Sequence, residues 1–551
     1  MQEHRFAIKT YETDFLCIGG GIAGLMASIN AADHGMRCIV MDKGDARRSG
    51  SSGLGNDHFI CYIPEVHGDY ETFIHDVMKL QNGARLRQMG ADWAKSFFYK
   101  TSEIVKMWDA WGIPMKHDGR YYFAGHALPG RTHAFLKYHG VDQKIVLVRE
   151  ARKRGVEIHN RRMGYDLLTD EDGAVAGAVA VDTREDVLHV YRAKAVLLGT
   201  GLANGVFPFN RLGSIGMNPA PICLTGDGRM MAYRAGAELC NLEMPHLHAG
   251  VKFFSRSGQA TWEGVLRDPR GNPVGPFFTE PNPLCGDITM EVDKSIIERF
   301  NKEGKGPVFM DMTGLTREQL ELMEHWLTQE GNCTLLRHLR QEGVDLIDTA
   351  VEFATYPMSM PPAAGIAFNE HSETCVPGLY AAGDEGYGGI AGAAVTGWWA
   401  ADAAAEYTNE GSFGDCCEDR VELLARRLED FRARKHAAHW TEARYALQNI
   451  AHDYCGESRT AEALELGLTH LRRVRARAEQ TLGAANPHEL AYCLGVLNLY
   501  ELAELMFLMA EDRKESRALH KRQDYPLPNL TLDGLRHYIR REGTATVMSW
   551  R

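Results

Sequence analysis

The chain has 551 residues, of which 44% are hydrophobic and 24% are charged, and its formal net charge is -12 at pH 7. This composition is typical of a folded protein with two or three domains and excludes disorder on a large scale. The acidic balance argues against a broad nucleic-acid surface, which requires clustered Lys and Arg. We therefore expect no nucleic-acid partner.

Residues 1–9 lack the apolar core of a secretory signal, and no run approaches the roughly 18 apolar residues of a membrane span. We expect a cytoplasmic protein without direct membrane insertion. The 12 cysteines form no C-x-x-C pair. The sequence therefore predicts no zinc site, iron-sulfur cluster or disulfide framework in this chain, and no other metal site.

Near the amino terminus, an apolar run ends in the glycine pattern Gly19-x-Gly21-x-x-Gly24, and after a helical stretch a second apolar run ends at Asp42. This order predicts a strand, a tight turn, a helix and a second strand. The glycines let a pyrophosphate approach the helix N-terminus and let the helix pack closely on the sheet. Asp42 is placed to bind a ribose hydroxyl, so the pattern predicts a dinucleotide site.

Strand-like patterns follow at 173–182, 187–191 and 195–201, the last running into another glycine turn. From residue 238 to 351 Pro and Gly interrupt the pattern, which suits an inserted lobe. The nucleotide-binding pattern resumes with a short strand that ends at Gly383 and Asp384. Beyond residue 414 amphipathic helices are predicted at 421–436, 441–451, 461–480 and 488–509.

Several motifs, in this order, resemble those of the flavoprotein subunit superfamily of succinate dehydrogenase and fumarate reductase, which also contains the adenylylsulfate reductase alpha subunit and L-aspartate oxidase. The resemblance spans nearly the whole chain and is nearest in pattern to the adenylylsulfate reductase branch. Besides the glycine pattern, the motifs are Arg48-Ser-Gly-Ser-Ser-Gly53, Tyr122-Phe-Ala-Gly-His126 with Arg131-Thr132, 193–201, Thr225-Gly-Asp-Gly228, 304–311, 377–384, 440–448 and 513–526.

The resemblance implies FAD as the dinucleotide and an α/β fold. Its parts would be a Rossmann-like FAD-binding domain in two segments (1–237 and 352–413), an inserted α+β capping domain (238–351) and a C-terminal helical domain (414–551). Strands ending near Gly19, Gly199 and Gly383 would bring backbone amides to one long cofactor. The predicted cofactor-binding residues are Gly19, Gly21, Ala23, Gly24, Asp42, Lys43, Ser49, Gly53, Thr200, Gly201, Asp227, Gly383, Asp384, Gly389 and Ile390.

Two of these residues have further interpretations. Asp384 is placed to hold the ribityl chain or the pyrophosphate. Asp227 lies at a helix start, where it serves as an N-cap, as a cofactor ligand, or as both.

The attachment of the flavin follows from Gly50. In succinate dehydrogenases and quinol-linked fumarate reductases, a His in the matching segment carries a covalent flavin, whereas Gly50 has no nucleophile. The resemblance therefore implies noncovalent FAD. It is compatible with a low-potential electron donor, and we expect an iron-sulfur cluster only in a ferredoxin-like partner subunit.

The substrate pocket departs from the superfamily pattern. Relatives bind a dicarboxylate with His and Arg side chains and use a further Arg for proton transfer. Here Gly286-Asp287 matches the pair with that Arg, Met360 replaces a substrate His, and the loop after Asp384 is short. We therefore expect a substrate other than fumarate or succinate, larger or less charged.

For proton transfer, His248 is the first candidate, because it matches a substrate-binding His of the superfamily and imidazole titrates near neutral pH. Weaker candidates are His126, Arg131, Tyr122, His246 and Glu263.

The leading hypothesis is an FAD-dependent oxidoreductase subunit that transfers a hydride at flavin N5 and exchanges electrons with an iron-sulfur subunit. Two alternatives stay open: a stand-alone oxidase or dehydrogenase of the L-aspartate oxidase kind, and a flavin-bearing relay or scaffold subunit in a redox complex.

Overall fold

The computed structural model describes residues 6–79, 90–125, 130–208, 221, 223–244, 246–252, 262–274, 280–282, 295–358, 364–415, 418–456 and 458–551. Its strands are β1 (Ala7–Ile18), β2 (Cys38–Asp42), β3 (His58–Ile60), β4 (Tyr122–Phe123), β5 (Phe135–Lys137), β6 (Glu157–Asn160), β7 (Arg162–Thr169), β8 (Val175–Asp182), β9 (Val187–Leu198), β10 (Leu239–Cys240), β11 (His246–Val251), β12 (Val265–Arg267), β13 (Val308–Asp311), β14 (Val351–Met358), β15 (Gly365–Ile366), β16 (Leu379–Ala381), β17 (Ser458–Arg459), β18 (Lys521–Arg522), β19 (His537–Glu542) and β20 (Ala545–Trp550). Its α-helices are α1 (Ile22–Asp33), α2 (Pro64–His67), α3 (Tyr70–Lys79), α4 (Ala91–Trp111), α5 (Gln143–Lys153), α6 (Asp227–Arg234), α7 (Ser295–Lys302), α8 (Arg317–Gln329), α9 (Cys333–Gln341), α10 (Ile390–Glu410), α11 (Glu418–Ala433), α12 (Trp440–Cys455), α13 (Ala461–Thr481) and α14 (Pro487–Asp512).

The central sheet has the order β6-β2-β1-β9-β8-β7, and β16 pairs with the carboxyl end of β9. Strands β1, β9 and β16 are parallel, with Ile18 beside Leu198 and Leu198 beside Ala381. Three strands therefore end side by side, and the turns after them share one edge of the sheet. In open α/β sheets, that edge is where ligands bind.

Strand β9 is continuous, whereas the sequence predicted two strands separated by a polar step. Arg192 and Lys194 cause that step, and both side chains pair with acids of the adjacent strand β1. Arg192 lies 2.6 Å from Glu12, and Lys194 lies 3.2 Å from Asp14. Because these charges are neutralised across the ladder, they do not interrupt the strand.

Helix α1 is buried along most of its length and packs against α10. Small residues permit this close approach: a Cβ at Gly397 would stand 2.3 Å from the carbonyl oxygen of Ala23. The helix that follows the first glycine turn is therefore held rigidly against the sheet.

A second, antiparallel sheet has the order β11-β14-β13-β12. With α7, α8 and α9 it encloses a separate hydrophobic core that includes Trp262, Met310, Leu327 and Phe353. This lobe interrupts the nucleotide-binding fold, as the sequence predicts. The domain limits given above stay predictions.

Helices α11 to α14 follow the central fold, and their bounds lie within a few residues of the predicted ones. The hairpin β19-β20 was not predicted; it pairs with β10 and completes a small sheet with β15. Among the described helices, α14 is long and apolar enough to cross a membrane by composition, with a mean hydropathy of 1.5. However, 89% of its apolar window is buried inside the protein, so it packs as a core helix.

Candidate active site

A cavity of about 710 Å³ lies at the carboxyl ends of β1, β9 and β16. Small-molecule and cofactor sites span about 300–1,000 Å³. The predicted cofactor residues that line it are Gly19, Gly21, Ala23, Asp42, Lys43, Ser49, Thr200, Gly201, Asp227, Gly383, Asp384, Gly389 and Ile390. Gly24 and Gly53, also predicted, are not among its lining residues.

Three glycines allow close contacts between backbone segments around the cavity. Gly19 has a φ of 110°, and a Cβ there would stand 2.3 Å from the Gly199 oxygen. A Cβ at Gly24 would stand 2.0 Å from the Gly19 oxygen, and one at Gly53 would stand 2.0 Å from the Arg48 oxygen. Gly24 and Gly53 therefore shape the turns that form the wall.

Asp42 joins the two turns at this wall. Its carboxylate accepts hydrogen bonds from the backbone N–H of Gly20 at 2.9 Å and of Gly44 at 2.7 Å. The Ser49 hydroxyl donates a third at 2.8 Å. Asp42 thus fixes the glycine turn and the segment around Ser49 on one side of the cavity.

Asp227 begins helix α6 but does not cap it, because the N-cap is Gly226, without a side-chain cap bond. Its carboxylate lies 2.5 Å from Lys43 Nζ. It also accepts hydrogen bonds from Thr225 Oγ1 and Asn498 Nδ2, each at 2.8 Å. Asp227 therefore does not serve as the N-cap of α6, and its role as a cofactor ligand stays a prediction.

A buried ion pair, which the sequence did not single out, lies behind the second and third turns. Arg229 Nη2 donates to the Asp384 carbonyl at 2.6 Å, and Arg229 Nε lies 3.5 Å from Glu385. The Thr200 backbone N–H donates to Glu385 Oε1 at 3.0 Å. Burial raises the pKa of the Glu385 carboxyl to about 7.

The small sheet β3-β5-β4 carries a row of polar side chains next to the cavity. His58 lies directly opposite Lys137, and Lys137 lies directly opposite Tyr122. Residues opposite one another in neighbouring strands share one face of a sheet. His58 lines the cavity, whereas Lys137 is buried. The row therefore leads from the cavity wall into the protein.

Acidic side chains next to this row determine which of its groups are ionised. Asp57 lies 2.5 Å from Lys137 and 2.6 Å from His58. Burial opposes ionisation of Asp57, but Lys137 and His58 hold the pKa of its carboxyl well below its usual range. Burial also opposes a charged His58, yet hydrogen bonds to Asp57 and Glu330 raise its pKa to about 9. Burial and the Asp57 charge raise the pKa of Glu330, which lines the cavity, to about 7.

Glu263, one of the predicted catalytic residues, is buried close to the same row. Its Oε2 has no hydrogen-bond partner among the described residues. Burial raises the pKa of its carboxyl to about 8, although the charge of Lys137 acts in the opposite direction. Burial and the Glu263 charge together raise the pKa of Tyr122. Glu263 is thus an acid that holds its proton at neutral pH.

The other predicted catalytic and pocket residues are either exposed or lie outside the described part of the structure. Arg131 has an exposed side chain. His126, Gly286, Asp287 and Met360 lie outside the described residues. His246 and His248 belong to β11, but their side chains lie outside the described part of the structure.

The three converging strand ends, the inserted antiparallel lobe and the carboxyl-terminal helices define a dinucleotide-binding enzyme of the flavoprotein class. The family described as "FAD binding domain" matches residues 14–397, and the family described as "Fumarate reductase flavoprotein C-term" matches 444–537. The chain belongs to the FAD-binding family and is an FAD-dependent oxidoreductase of the succinate dehydrogenase and fumarate reductase flavoprotein superfamily. The predicted superfamily and fold class are confirmed.

Curated relatives and solved structures agree with this placement. An L-aspartate oxidase of Streptomyces coelicolor is 26% identical over 93% of this chain and 88% of its own length. A fumarate reductase (CoM/CoB) subunit of Methanothermobacter marburgensis is 25% identical over 94% of this chain and 95% of its own. The fold is similar to that of Archaeoglobus fulgidus adenylylsulfate reductase, with a TM-score of 0.84 at 21% identity, covering 100% of this chain and 97% of the other.

The residues of the cavity fit FAD. Glycine turns leave backbone N–H groups close to the helix N-terminus, which suits a pyrophosphate. The wall combines apolar Ile18, Ile22 and Ile390 with carboxylates that accept hydrogen bonds from hydroxyls. This agreement supports FAD as the cofactor and leaves its mode of attachment open.

Proposed function

We propose that this chain binds FAD noncovalently in the 710 Å³ cavity and oxidises or reduces a substrate other than fumarate or succinate. We further propose that it exchanges electrons with a separate iron-sulfur protein. Bound FAD would supply hydride transfer at N5. The single observation that carries the substrate proposal is that Gly286-Asp287 and Met360 stand where the superfamily has a proton-transferring Arg and a substrate-binding His.

Four described cationic side chains line the cavity, and each has a carboxylate partner. Lys43 pairs with Asp227, Arg48 with Asp142, His58 with Asp57 and Arg162 with Asp182. A C4 dicarboxylate requires several cationic donors that are free to bind it. The described wall does not offer them, and the raised pKa of Glu330 and Glu263 favours neutral, proton-bearing groups instead.

Noncovalent attachment is supported by the environment of Gly50. This residue lines the cavity with a φ of 74°, and no atom of the residues that the structure describes lies within 4 Å of a Cβ built on it. Among the described residues that line the cavity, His58 carries the imidazole that could act as a nucleophile toward the flavin. Its Nδ1 lies 2.6 Å from Asp57. A protonated imidazole held by a carboxylate is a poor nucleophile, so we expect all of the flavin to be released by acid.

Two groups compete for proton transfer to the substrate. Glu263 has a pKa of about 8 and lies close to the row of His58, Lys137 and Tyr122, and a pKa near the operating pH suits a general acid. His248, the first candidate from the sequence, stays a prediction. We propose Glu263 as the proton donor and the polar row as its link to the cavity wall.

Exchange of electrons with a partner is supported by the relative that is named as one subunit of a fumarate reductase. A stand-alone oxidase of the L-aspartate oxidase kind is the second candidate, because several curated relatives bear that name. L-aspartate itself is also a C4 dicarboxylate, so the paired cations of the wall argue against it as the substrate.

The test begins with the purified, yellow protein. Acid precipitation is expected to release one equivalent of FAD per chain and to leave a colourless pellet. In a separate sample of the intact protein, the photoreduced flavin should be reoxidised by an oxidised ferredoxin-type protein faster than by oxygen. A coloured pellet would contradict noncovalent binding. Rapid reoxidation by oxygen, with none by the iron-sulfur protein, would favour the stand-alone oxidase.

A further inference from the structure

Three histidines that are distant in the sequence meet at one place outside the cavity wall. A nitrogen of each of His117, His139 and His325 lies within 4.8 Å of a nitrogen of the other two. Their ring centroids are 5.7 Å apart for His117 and His139, 5.9 Å for His117 and His325, and 5.1 Å for His139 and His325. None of the three lines the cavity.

We propose that His117, His139 and His325 form a binding site for a divalent transition-metal ion of the Zn²⁺ class, with a water molecule as the fourth ligand. Imidazole is a preferred ligand of such ions, and three imidazoles with one open position make a recurrent zinc geometry. The protein would supply three nitrogen ligands and no thiolate.

The observed separation is close to what such an ion requires. With Zn–N distances of about 2.0–2.1 Å in a tetrahedral site, neighbouring nitrogens stand about 3.3 Å apart. The three nitrogens, which lie within 4.8 Å of one another, would have to approach by about 1.5 Å at most to reach that spacing.

The backbone holds the three residues in place from separate elements. His117 closes a turn, with its N–H donating to the Arg120 carbonyl at 2.9 Å and the Arg120 N–H donating back at 3.0 Å. The His139 N–H donates to the Pro114 carbonyl at 3.0 Å. His325 lies in helix α8 of the inserted lobe. A metal here would therefore join the lobe to the part of the chain that carries the polar row.

The surroundings also resemble a metal site. Trp326 packs against all three rings, with centroids 5.1 Å from His117, 5.4 Å from His139 and 4.9 Å from His325. His325 Nε2 is buried without a hydrogen-bond partner among the described residues. The exposed Asp118 carboxylate stands 3.7 Å from His117 Nε2, within reach of a hydrogen bond to that imidazole after a small movement of its side chain. An apolar floor and an outer carboxylate are common features of such sites.

The experiment uses the full FAD-loaded chain, treated with a chelator and then titrated with Zn²⁺ in equilibrium dialysis. We expect one equivalent to bind, and the affinity to fall by about tenfold or more in His325→Gln and in His139→Gln. His371→Gln, at an exposed histidine outside the cluster, is the matched control and should bind as the unmodified chain does. Retained flavin absorbance shows that each variant has folded.

X-ray absorption at the zinc edge of the unmodified protein gives a second measurement that does not depend on folding of a variant. We expect nitrogen or oxygen neighbours at about 2.0–2.1 Å with imidazole scattering. A sulfur shell at about 2.3 Å would show binding to cysteines and would overturn the proposal. Failure to bind Zn²⁺, or equal affinity in all variants, would overturn it as well.

Discussion

Three buried glutamates near the cavity hold their protons at higher pH than glutamate normally does. The pKa is raised by burial to about 8 in Glu263, to about 7 in Glu330 and to about 7 in Glu385. A carboxyl group that titrates near neutral pH can donate a proton and recover it, which an ordinary surface glutamate cannot do at pH 7. Perturbed acids of this kind concentrate at functional sites.

Glu263→Gln tests the most strongly shifted of these acids. Because its pKa in the folded chain is about 8 against an ordinary 4.5, the contribution of Glu263 to stability is fully present below about 4.5. It is lost progressively as the pH rises from about 4.5 to about 8, because over this range the carboxyl ionises in the unfolded chain but keeps its proton in the folded one. We expect the variant and the unmodified chain to unfold at the same temperature at pH 4.5, and the variant to unfold several degrees higher at pH 8.5.

Glu370→Gln, at an exposed position outside the helices, is the matched control and should shift neither midpoint. Scanning calorimetry at the two pH values makes the comparison. A Glu263→Gln variant that is equally less stable at both pH values would show that Glu263 is ionised in the folded chain.

The residues that can and cannot be predicted differ in how their roles arise. Asp42 and Gly19 are predictable, because their roles depend on local spacing in one strand-turn-helix unit. The pairing of Lys137 with Asp57 is not, because a lysine within an apolar strand gives no local signal of its partner. The role of Asp227 cannot be predicted from local spacing either, because its hydrogen bond to Asn498 joins residues 271 positions apart.

At the scale of elements, two glycines of the turn between β1 and α1 differ in the space that the protein leaves beside them. Among the described atoms, a Cβ at Gly21 would meet the Gly199 oxygen alone, at an ordinary 3.7 Å, whereas one at Gly24 would stand 2.0 Å from the Gly19 oxygen. The first position is therefore open in the protein and faces the cavity, and the second is filled by the protein itself.

This difference predicts distinct outcomes for two alanine variants. Gly21→Ala should weaken FAD binding by about 1–3 kcal/mol, because the methyl group enters the space of the cofactor, and should leave the FAD-free chain as stable as before. Gly24→Ala should destabilise the FAD-free chain as well, because α1 must move off the sheet.

FAD titration by fluorescence quenching, together with urea unfolding of the FAD-free chains, distinguishes the two effects. Unchanged FAD affinity in Gly21→Ala would contradict the placement of the pyrophosphate at this turn.

Helices and strands are predicted well from the sequence where apolar residues repeat with a single period. They are predicted poorly where the element forms only through pairing with a residue or strand that is distant in the sequence. Helices α12 to α14 have long apolar faces and were predicted nearly to their ends. Strand β9 was predicted as two pieces, because the ion pairs that neutralise Arg192 and Lys194 come from β1. The hairpin β19-β20 depends on pairing with β10, about 300 positions earlier, and has no local equivalent of the glycine pattern.

At the scale of the whole molecule, buried charges join the segment after the carboxyl-terminal helices to the segment that leads into β11. Arg513 donates to Glu243 at 2.6 Å and to Glu515 at 2.7 Å. Although burial opposes its ionisation, His537 and Arg513 hold the pKa of Glu243 at about 2. Glu243 lies just before β11, so this ion pair connects the end of the chain to the start of the inserted lobe.

Arg513→Met tests this connection. Removing Arg513 takes one cation from the buried carboxylate of Glu243, which keeps His537 at 3.3 Å, so we expect a loss of about 3 kcal/mol in the free energy of unfolding. Arg472→Met, which breaks a partly exposed pair with Glu504, is the matched control and should cost about 0–1 kcal/mol. Urea unfolding followed by flavin fluorescence measures both; equal effects would contradict a structural role for the buried pair.

The reaction of the photoreduced protein with fumarate, in the absence of oxygen, tests most directly whether the active site accepts a C4 dicarboxylate. The absorbance of the flavin band reports reoxidation. Because Gly286 and Met360 stand at positions predicted to bind a dicarboxylate, and each described cation of the FAD cavity is paired with a carboxylate, we predict that the yellow flavin bleaches on illumination and stays bleached after fumarate is added. Rapid return of the yellow colour would contradict the proposal that the substrate is not a C4 dicarboxylate.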